Sequence, residues 1–141
     1  MARVKLVFPE KINTTVKLTV RITDINYGNH LGNNALVGLL HEARLLWLSE
    51  AGFTELNAAG TGLIMSDLAV EYKMQAYWNE SISIAIACDN ILRAGFEVYY
   101  QIKNKQGAII AIAKTGMVCF DYNENKVVSI PNALKAFIEI E

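Results

Sequence analysis

The sequence predicts an α+β domain in which a curved antiparallel sheet of about five strands wraps around one long central helix. Three observations support this prediction. A strand with alternating apolar and polar residues lies near the amino terminus, a long apolar helix follows it, and four strand-like segments come after the helix. The chain has 141 residues, enough for one domain and too few for two ordinary ones, so we expect residues 1–141 to form a single domain.

The first strand is predicted from strict alternation. Its apolar positions are Val16, Leu18, Val20 and Ile22. Polar or charged residues stand between them, as in a strand with one buried face. Continuing the alternation places Asp24 and Asn26 on the apolar side. A carboxylate that points toward a core is costly unless it has a partner or a function, which makes Asp24 a candidate functional residue.

The long helix is predicted over residues 35–51. A loop with two glycines and three asparagines precedes it, and Asn33 or Asn34 is the expected N-cap. The apolar face carries Leu36, Leu39, Leu40, Ala43, Leu46 and Trp47. Further apolar residues extend around the cylinder, so we expect the helix to be largely buried. Gly52 is suited to end it.

The strand pattern returns after the helix. One face of the next strand is predicted to carry Ile64, Ser66, Leu68, Val70 and Tyr72. Two further strands alternate over residues 82–88 and 96–102, and residues 108–122 are apolar on both faces, which is typical of a strand covered on both sides. Residues 104–107 are of the types that favour a turn. Residues 131–138 are predicted to form a short closing helix with proline at its start.

Composition excludes several classes of protein. Hydrophobic residues make up 52% of the chain and charged residues 19%, which excludes a disordered protein. The net charge of −1 argues against a nucleic-acid partner. The apolar runs are too short to span a bilayer, and the amino-terminal one is too short for a signal peptide, so we expect a cytoplasmic protein without membrane insertion. Cys88 and Cys119 lie in separate strand-like runs and are expected to be free thiols, and we expect no metal site.

Polar residues crowd around the start of the predicted helix. Between positions 24 and 42 these residues are Asp24, Asn26, Tyr27, Asn29, His30, Asn33, Asn34, His41 and Glu42. Free amide groups and the helix dipole point to this place, where they can polarise a carbonyl oxygen. The alternative is a polar loop that only caps the helix.

Residues 23–34 (TDINYGNHLGNN), followed by residues 42–44 (EAR), resemble hotdog-fold thioesterases of the 4-hydroxybenzoyl-CoA thioesterase type. The usual pattern of that family is Asp-x-Asp-x-x-Gly-His-x-Asn-Asn, with Glu-Ala-Arg or a similar triplet in the helix. The resemblance extends to residues 70–79, 113–115 and 130–131, and covers nearly the whole chain. It implies a single hotdog domain that needs no cofactor.

The chain departs from this family pattern at the catalytic position. Asn26 stands where the second Asp of the pattern usually acts as nucleophile or general base, and an amide can do neither. Asn29 replaces a glycine, and Gly32 replaces the first Asn of the pair. The candidates for the general base are therefore Asp24 as first choice, His30, and Glu42 on the helix. Histidine is a candidate because an unperturbed imidazole has a pKa of about 6.5. Asn26 remains a candidate for binding the carbonyl oxygen or water.

Substrate-binding residues are also predicted. Tyr27 and Ser66 are candidates to line the acyl pocket. Asn29 and Asn33, which lie in the same loop as Tyr27, are also predicted to bind substrate. Coenzyme A carries phosphates, so its entrance needs cations. The cations predicted from their places near strand ends are Lys73, Arg93 and Lys114.

The resemblance implies an acyl-CoA thioesterase that activates water at a subunit interface. One alternative is a non-catalytic protein that binds acyl thioesters and has lost the usual Asp. A thioesterase acting on acyl carrier protein is another, although a net charge of −1 offers little support for docking an acidic carrier. A sheet with an open edge and an apolar outer face is a liability in water, so we expect a homodimer or a tetramer.

Overall fold

A computed structural model describes residues 2–140 of the chain and shows one antiparallel sheet packed against a long helix. The strands are β1 (Thr14–Thr19), β2 (Gly62–Tyr72), β3 (Ser81–Asp89), β4 (Gly95–Asn104), β5 (Ile109–Asp121) and β6 (Lys126–Val127). The helices are α1 (Asn33–Ser49), α2 (Asn132–Ile138) and a short 3-10 helix (Ile22–Asp24). None of the helices in residues 2–140 is both long enough and apolar enough to cross a membrane.

The strand order in the sheet is β1-β3-β4-β5-β2, and β6 adds a two-residue pairing to β5. Every pairing is antiparallel, which confirms the predicted α+β architecture. The sheet has six strands rather than about five because residues 126–127 pair with the end of β5. Strands β1 and β2 lie at the two ends of this order, so each has one edge that no strand formed by residues 2–140 covers.

The core lies between α1 and one face of the sheet. Its largest fully buried side chains are Trp47, Tyr100, Leu36, Leu40, Leu48, Ile82, Ile84, Ile86, Ile102, Ile110, Met117 and Leu134. Helix α2 closes one end, where Phe137 stacks on Trp47 with ring centroids 4.9 Å apart. Burial of this apolar surface is the main force that holds α1 against the sheet.

The first strand is shorter than the alternation predicts. β1 ends at Thr19, and the chain then turns through the 3-10 helix. The Asp24 carboxylate closes that turn by accepting a hydrogen bond from the Arg21 amide at 2.8 Å. Asp24 is therefore buried by this turn and not by strand alternation. Because β1 has already ended, its alternation does not determine the direction of the Asn26 side chain.

A β-bulge divides strand β2. The pairing register with β5 shifts between Met65 and Asp67, which leaves Ser66 as the extra residue. Because a bulge reverses the alternation, Met65 before it and Leu68 after it both face α1. The single face predicted for residues 64–72 therefore holds only from Leu68 onward.

Candidate active site

The loop between the 3-10 helix and α1 is organised around Asn26. Its side-chain oxygen accepts hydrogen bonds from the backbone amides of Gly28 at 2.9 Å and His30 at 3.4 Å. Its own backbone amide donates to the His30 carbonyl at 2.9 Å. Asn29 adopts a left-handed backbone conformation with φ 67°, which asparagine tolerates better than most residues. The turn explains why Asn29 is acceptable where the family pattern has glycine.

His30 is half-buried in this loop and presents one ring nitrogen to its surroundings. Its Nδ1 lies 3.4 Å from the Leu31 carbonyl oxygen, a long contact. In the neutral tautomer that donates from Nδ1 to this carbonyl, Nε2 is the nitrogen that carries the lone pair. A Cβ atom placed on Gly28 would lie 3.2 Å from Nε2 and 3.3 Å from the Asn26 side-chain oxygen, so these two atoms are neighbours.

The amino terminus of α1 is uncapped. The structure places Gly32 at the N-cap rather than Asn33 or Asn34, and glycine has no side chain to accept from the first amides. The first helical hydrogen bond runs from the Leu36 amide to the Gly32 carbonyl at 3.0 Å. Within residues 2–140, the amides of residues 33–35 donate to no protein acceptor. These amides and the helix dipole create a positive potential that favours an oxygen carrying negative charge.

A cleft of about 260 Å³ opens beside these groups. Its lining residues are His30, Leu31, Gly32, Asn33, Leu36, Tyr72, Lys73, Met74, Gln75, Ala76 and Ile110. The Tyr72 hydroxyl donates to the Asn33 carbonyl at 3.1 Å and ties β2 to the start of α1. The structure thus brings His30, Asn33 and Lys73 together, whereas the contributions of Tyr72 and residues 74–76 were not predicted.

Asp24 lies behind the loop with both carboxylate oxygens engaged. It is 5% exposed and accepts from the Arg21 side chain at 3.2 and 3.3 Å in addition to the Arg21 amide. The hydrogen bond and charge of Asp24 raise the pKa of Arg21. The Asp24 backbone carbonyl accepts from the Gly32 amide at 2.9 Å. This arrangement lets Asp24 position the start of α1.

Glu42 lies away from the cleft. It is exposed on α1, nine residues beyond Asn33, which corresponds to about 13 Å along the helix axis. Its charge makes a minor contribution to the raised pKa of Arg21, after those of Asp24, and Glu42 is not among the residues that line the cleft. Glu42 and His30 therefore do not share a site within this chain.

The remaining predicted residues divide between the loop tip and the far face of the sheet. Tyr27 and Asn29 are exposed at the tip. Ser66 at the bulge lies on the sheet face opposite α1, beside Gly116. Arg93 donates to the Ser129 hydroxyl at 2.9 Å and does not line the cleft.

Lys114 also lies on the face opposite α1, because it alternates with Thr115, which points toward the helix. Its ammonium group pairs with Asp67 at 3.1 Å and with Glu97 at 3.3 Å. Lys114 is therefore occupied by two carboxylates and is separated from the cleft by the sheet.

Sequence reasoning also missed a polar cluster on the α1 side. Arg44 is buried and donates from Nε to Glu55 at 2.8 Å and from Nη1 to the Tyr100 hydroxyl at 2.9 Å. Arg44 follows Leu40 by four residues and so lies on the apolar face of the helix. A charged residue on that face could have indicated a buried polar cluster.

Comparison with known proteins finds one matching family and several solved structures with a similar fold. The sequence pattern of a family described as "Thioesterase-like superfamily" matches residues 20–138. A comparison with curated protein sequences finds no match. Among solved structures, the chain resembles a 1,4-dihydroxy-2-naphthoyl-CoA thioesterase from Synechocystis, with 20% identity, a TM-score of 0.81 and coverage of 88% of this chain and 93% of that one.

Two further solved structures have the same fold. A DHNA-CoA thioesterase from Staphylococcus aureus shares 19% identity with a TM-score of 0.74, covering 82% of this chain and 79% of that one. A gentisyl-coenzyme A thioesterase shares 16% identity with a TM-score of 0.79, covering 89% of this chain and 100% of that one. Identities this low establish likeness of fold rather than of substrate.

Proposed function

The chain belongs to the thioesterase-like superfamily, and from that premise we propose that it hydrolyses an acyl-CoA thioester to a free acid and CoA by general-base activation of water. The observation that carries the proposal is the position of His30 beside the uncapped amino terminus of α1, where both line one cleft of about 260 Å³. A base for water and an electrophilic site for the carbonyl oxygen are the two requirements of thioester hydrolysis. The hotdog fold implied by the sequence resemblance agrees with the family and with the structural neighbours.

In the proposed reaction, His30 Nε2 removes a proton from water as the water oxygen bonds to the thioester carbonyl carbon. The carbonyl oxygen becomes an oxyanion and is held by the free amides of residues 33–35. When the tetrahedral intermediate collapses, the C–S bond breaks and the thiolate takes the proton from His30. The products are the acid and the CoA thiol, and no cofactor enters the reaction.

The choice of His30 over the two carboxylates follows from their surroundings. Asp24 is bound to Arg21 through both oxygens, so accepting a proton would disrupt those contacts. Glu42 is exposed on another side of α1. Asn26 fixes the loop through its side-chain oxygen, and its amide NH₂ donates no hydrogen bond within residues 2–140, so it can add a donor to the carbonyl oxygen or to water.

Lys73 is the cation best placed for the CoA phosphates. It lines the cleft, and its ammonium group lies 3.2 Å from Glu71 at a partly exposed position. An ion pair at a partly exposed position is weak, so the ammonium group can exchange Glu71 for a phosphate. Arg93 and Lys114 have other partners and take no part in the proposed mechanism.

We also propose that the active unit is a homodimer, which can assemble further into a tetramer. Strand β2 has 11 residues, and within residues 2–140 it pairs with β5 alone. Its free edge exposes Met65, Leu68 and Tyr72 by 43%, 38% and 49%. A long exposed apolar edge favours pairing with another strand, and the β2 strand of a second copy offers the same surface. Pairing there would place the cleft, which Tyr72 lines, at the subunit boundary.

The alternative is a non-catalytic protein that binds acyl thioesters. Asn26 at the position of the usual carboxylate and the engaged Asp24 favour it. A thiol-release assay with short, medium, long and aromatic CoA esters separates the two functions when binding is measured in parallel. We expect release of CoA from at least one ester. Tight binding of an ester, with no release of CoA from any ester, would contradict the enzymatic function and support the binding function.

A further inference from the structure

The segment that precedes β1 is tied to opposite sides of the sheet. At one end, the Leu6 amide donates a hydrogen bond to Glu71 Oε1 on β2 at 3.0 Å. At the other end, the Asn13 side-chain oxygen accepts a hydrogen bond from the Cys88 amide of β3 at 2.9 Å. We call residues 6–13, which lie between these two attachments, the strap.

The path of the strap is fixed by the distance that it spans. Strands β1 and β2 lie at the two ends of the strand order, so four inter-strand spacings, about 19 Å in all, separate them. Asn13 follows Leu6 by seven residues, and an extended chain of that length reaches about 23 Å. The strap must therefore be nearly extended, and it crosses the sheet with little detour.

The strap crosses the face of the sheet opposite α1. Val70 packs against the core and Tyr72 reaches the start of α1, so Glu71 between them points to the opposite face. Three apolar side chains on that face are buried although they alternate with core residues and lie outside the core. They are Ala85, Ala87 and Ile112, exposed by 9%, 0% and 7%. The attachments of the strap place it across this face, so we attribute their burial to it.

The strap presents alternate side chains to the sheet. Leu6 and Phe8 are half-buried, whereas Val7 between them is 86% exposed. This alternation is typical of an extended segment that lies with one side against a surface. Apolar contact and the hydrogen bonds at its two ends therefore hold the strap in place together.

Glu71 links the strap to the cleft. Its Oε1 accepts from the Leu6 amide, and its Oε2 accepts from the Lys73 ammonium group at 3.2 Å. Lys73 in turn lines the cleft. The hydrogen bond from Leu6, followed by the one from Lys73, lowers the pKa of Glu71 below its ordinary value, so the carboxylate is charged at neutral pH. The strap and the cleft therefore share one carboxylate, with one oxygen bound to each.

We propose that the strap positions Glu71 through the Leu6 amide and thereby keeps Lys73 available to a phosphate group of CoA. This inference rests on the proposed binding of a CoA ester in the cleft. While the Leu6 amide holds Oε1, Lys73 makes a single, partly exposed contact with Glu71, which a phosphate can replace. A Glu71 carboxylate released from the strap would be free to offer both oxygens to Lys73, and it would compete more strongly with the phosphate. Leu6 is thus a positioning residue that acts from the far face of the sheet.

The variant Leu6→Pro tests this link, because proline keeps an apolar side chain but has no backbone N–H. We expect the Kd for CoA, measured by calorimetry, to rise by about two- to five-fold, the size of one partly exposed ion pair. The ratio of the variant's Kd to the wild-type Kd should shrink when the salt concentration is raised from about 50 mM to about 500 mM, because salt screens exposed charges. A role of Leu6 in packing alone would not give this salt dependence.

The matched control is Val7→Pro. The Val7 side chain is exposed, and its amide donates no hydrogen bond within residues 2–140. Val7→Pro therefore introduces the same residue into the strap without removing a contact of Glu71, and its Kd for CoA should equal that of the wild type.

A second variant, Glu71→Gln, changes the link and leaves the strap intact. Glutamine keeps an oxygen that accepts from the Leu6 amide but loses the charge that competes for Lys73. We expect CoA to bind to Glu71→Gln about two- to five-fold more tightly than to the wild type. In the double variant, Leu6→Pro should have no further effect on Kd, because the two residues act through the same carboxylate.

Three results would overturn the inference: a wild-type Kd in a folded Leu6→Pro protein, an equal rise of Kd in Val7→Pro, or an effect of Leu6→Pro that persists beside Glu71→Gln. If Leu6→Pro does not fold, Phe8→Ser loosens the strap without touching Glu71. A rise of Kd in Phe8→Ser then supports the link, and a wild-type Kd contradicts it. Calorimetry measures CoA binding without turnover, so these shifts in a protein that releases no CoA from any ester would refute the hydrolysis and leave the link standing.

Discussion

Asp24 and His30 lie six positions apart in the sequence, yet they have different surroundings. The Asp24 carboxylate is buried and bound to Arg21, whereas the His30 imidazole lines the cleft and its Nε2 has no hydrogen-bond partner among residues 2–140. A general base must reach the proton that it removes, and geometry decides this before pKa does. At the scale of single residues, we therefore propose that Asp24 positions the start of α1 and that His30 is the base.

The variant Asp24→Asn tests this division of roles. The amide keeps the size of the side chain but loses the charge that binds Arg21, so we expect a lower melting temperature and a kcat of the same order as the wild type. Thermal unfolding and a thiol-release assay measure the two quantities. A fall in kcat of about 10²- to 10⁴-fold without a loss of stability would instead make Asp24 the base.

At the scale of elements, the amino terminus of α1 leaves its amides open because Gly32 stands at the N-cap. We expect Gly32→Ser to cap the helix and occupy those amides. The melting temperature should stay the same or rise slightly, since serine is better than glycine at an N-cap by only a few tenths of a kcal/mol. The kcat should fall by about 10²-fold, as when an oxyanion-binding donor is removed. Wild-type turnover in a stable Gly32→Ser protein would exclude these amides from the reaction.

Strands β2 and β5 carry a second element-scale prediction, the pH dependence of the Lys114 ion pair. The hydrogen bond from Lys114 lowers the pKa of Asp67 below its ordinary value. A lowered carboxyl pKa stabilises the fold above the ordinary Asp pKa of about 4 and loses that effect as the pH falls through the folded value. The wild type should therefore be more stable than Lys114→Met at pH 7, by less than about 1 kcal/mol because Asp67 is largely exposed, and the difference should shrink at pH 3.

Urea unfolding at the two pH values measures this difference. A stability difference that persists unchanged at pH 3 would show that Lys114 acts through packing rather than through charge. The same variant checks the placement of Lys114 on the far face of the sheet, because KM for a CoA ester should not change. A large rise in KM would indicate that Lys114 does contact CoA.

The sequence predicts the elements better than it predicts their local irregularities. Alternation and helical periodicity identify the strands, α1 and α2 because those patterns follow from which faces are buried. The bulge at Ser66 reverses the alternation through one unpaired residue, and the 3-10 helix ends β1 through a side-chain contact of Asp24. Both depend on interactions with distant or non-repeating partners, which a periodic pattern does not contain.

The candidate site shows the same limit. His30 and Asn33 are adjacent to the helix start in sequence, and the structure places both of them at the cleft. Arg44, Glu55 and Tyr100 come from three separate parts of the chain, and only the packing of α1 on the sheet brings them together. Conversely, Lys114 lies in a strand that the sequence predicts, but its side chain lies on the sheet face opposite α1 and the cleft.

At the scale of the whole molecule, the free edge of β2 favours association with a second copy. We expect Met65→Lys to place a charge on that edge, to shift the protein from dimer to monomer in light scattering, and to lower hydrolysis at the same time. Val127→Lys is a matched control, because Val127 is 48% exposed but lies on the strand that pairs with the other side of β5. A wild type that is monomeric at micromolar concentration, or a Met65→Lys protein that remains dimeric, would contradict the proposed interface.

The most direct test of the central claim is CoA release by His30→Gln, using the ester that the wild type hydrolyses fastest. Glutamine keeps a polar side chain of similar length but has no basic nitrogen. We expect kcat to fall by about 10²- to 10⁴-fold, with Kd for the ester and the melting temperature close to those of the wild type. Release at the wild-type rate by a folded His30→Gln protein would place the chemistry elsewhere in the molecule.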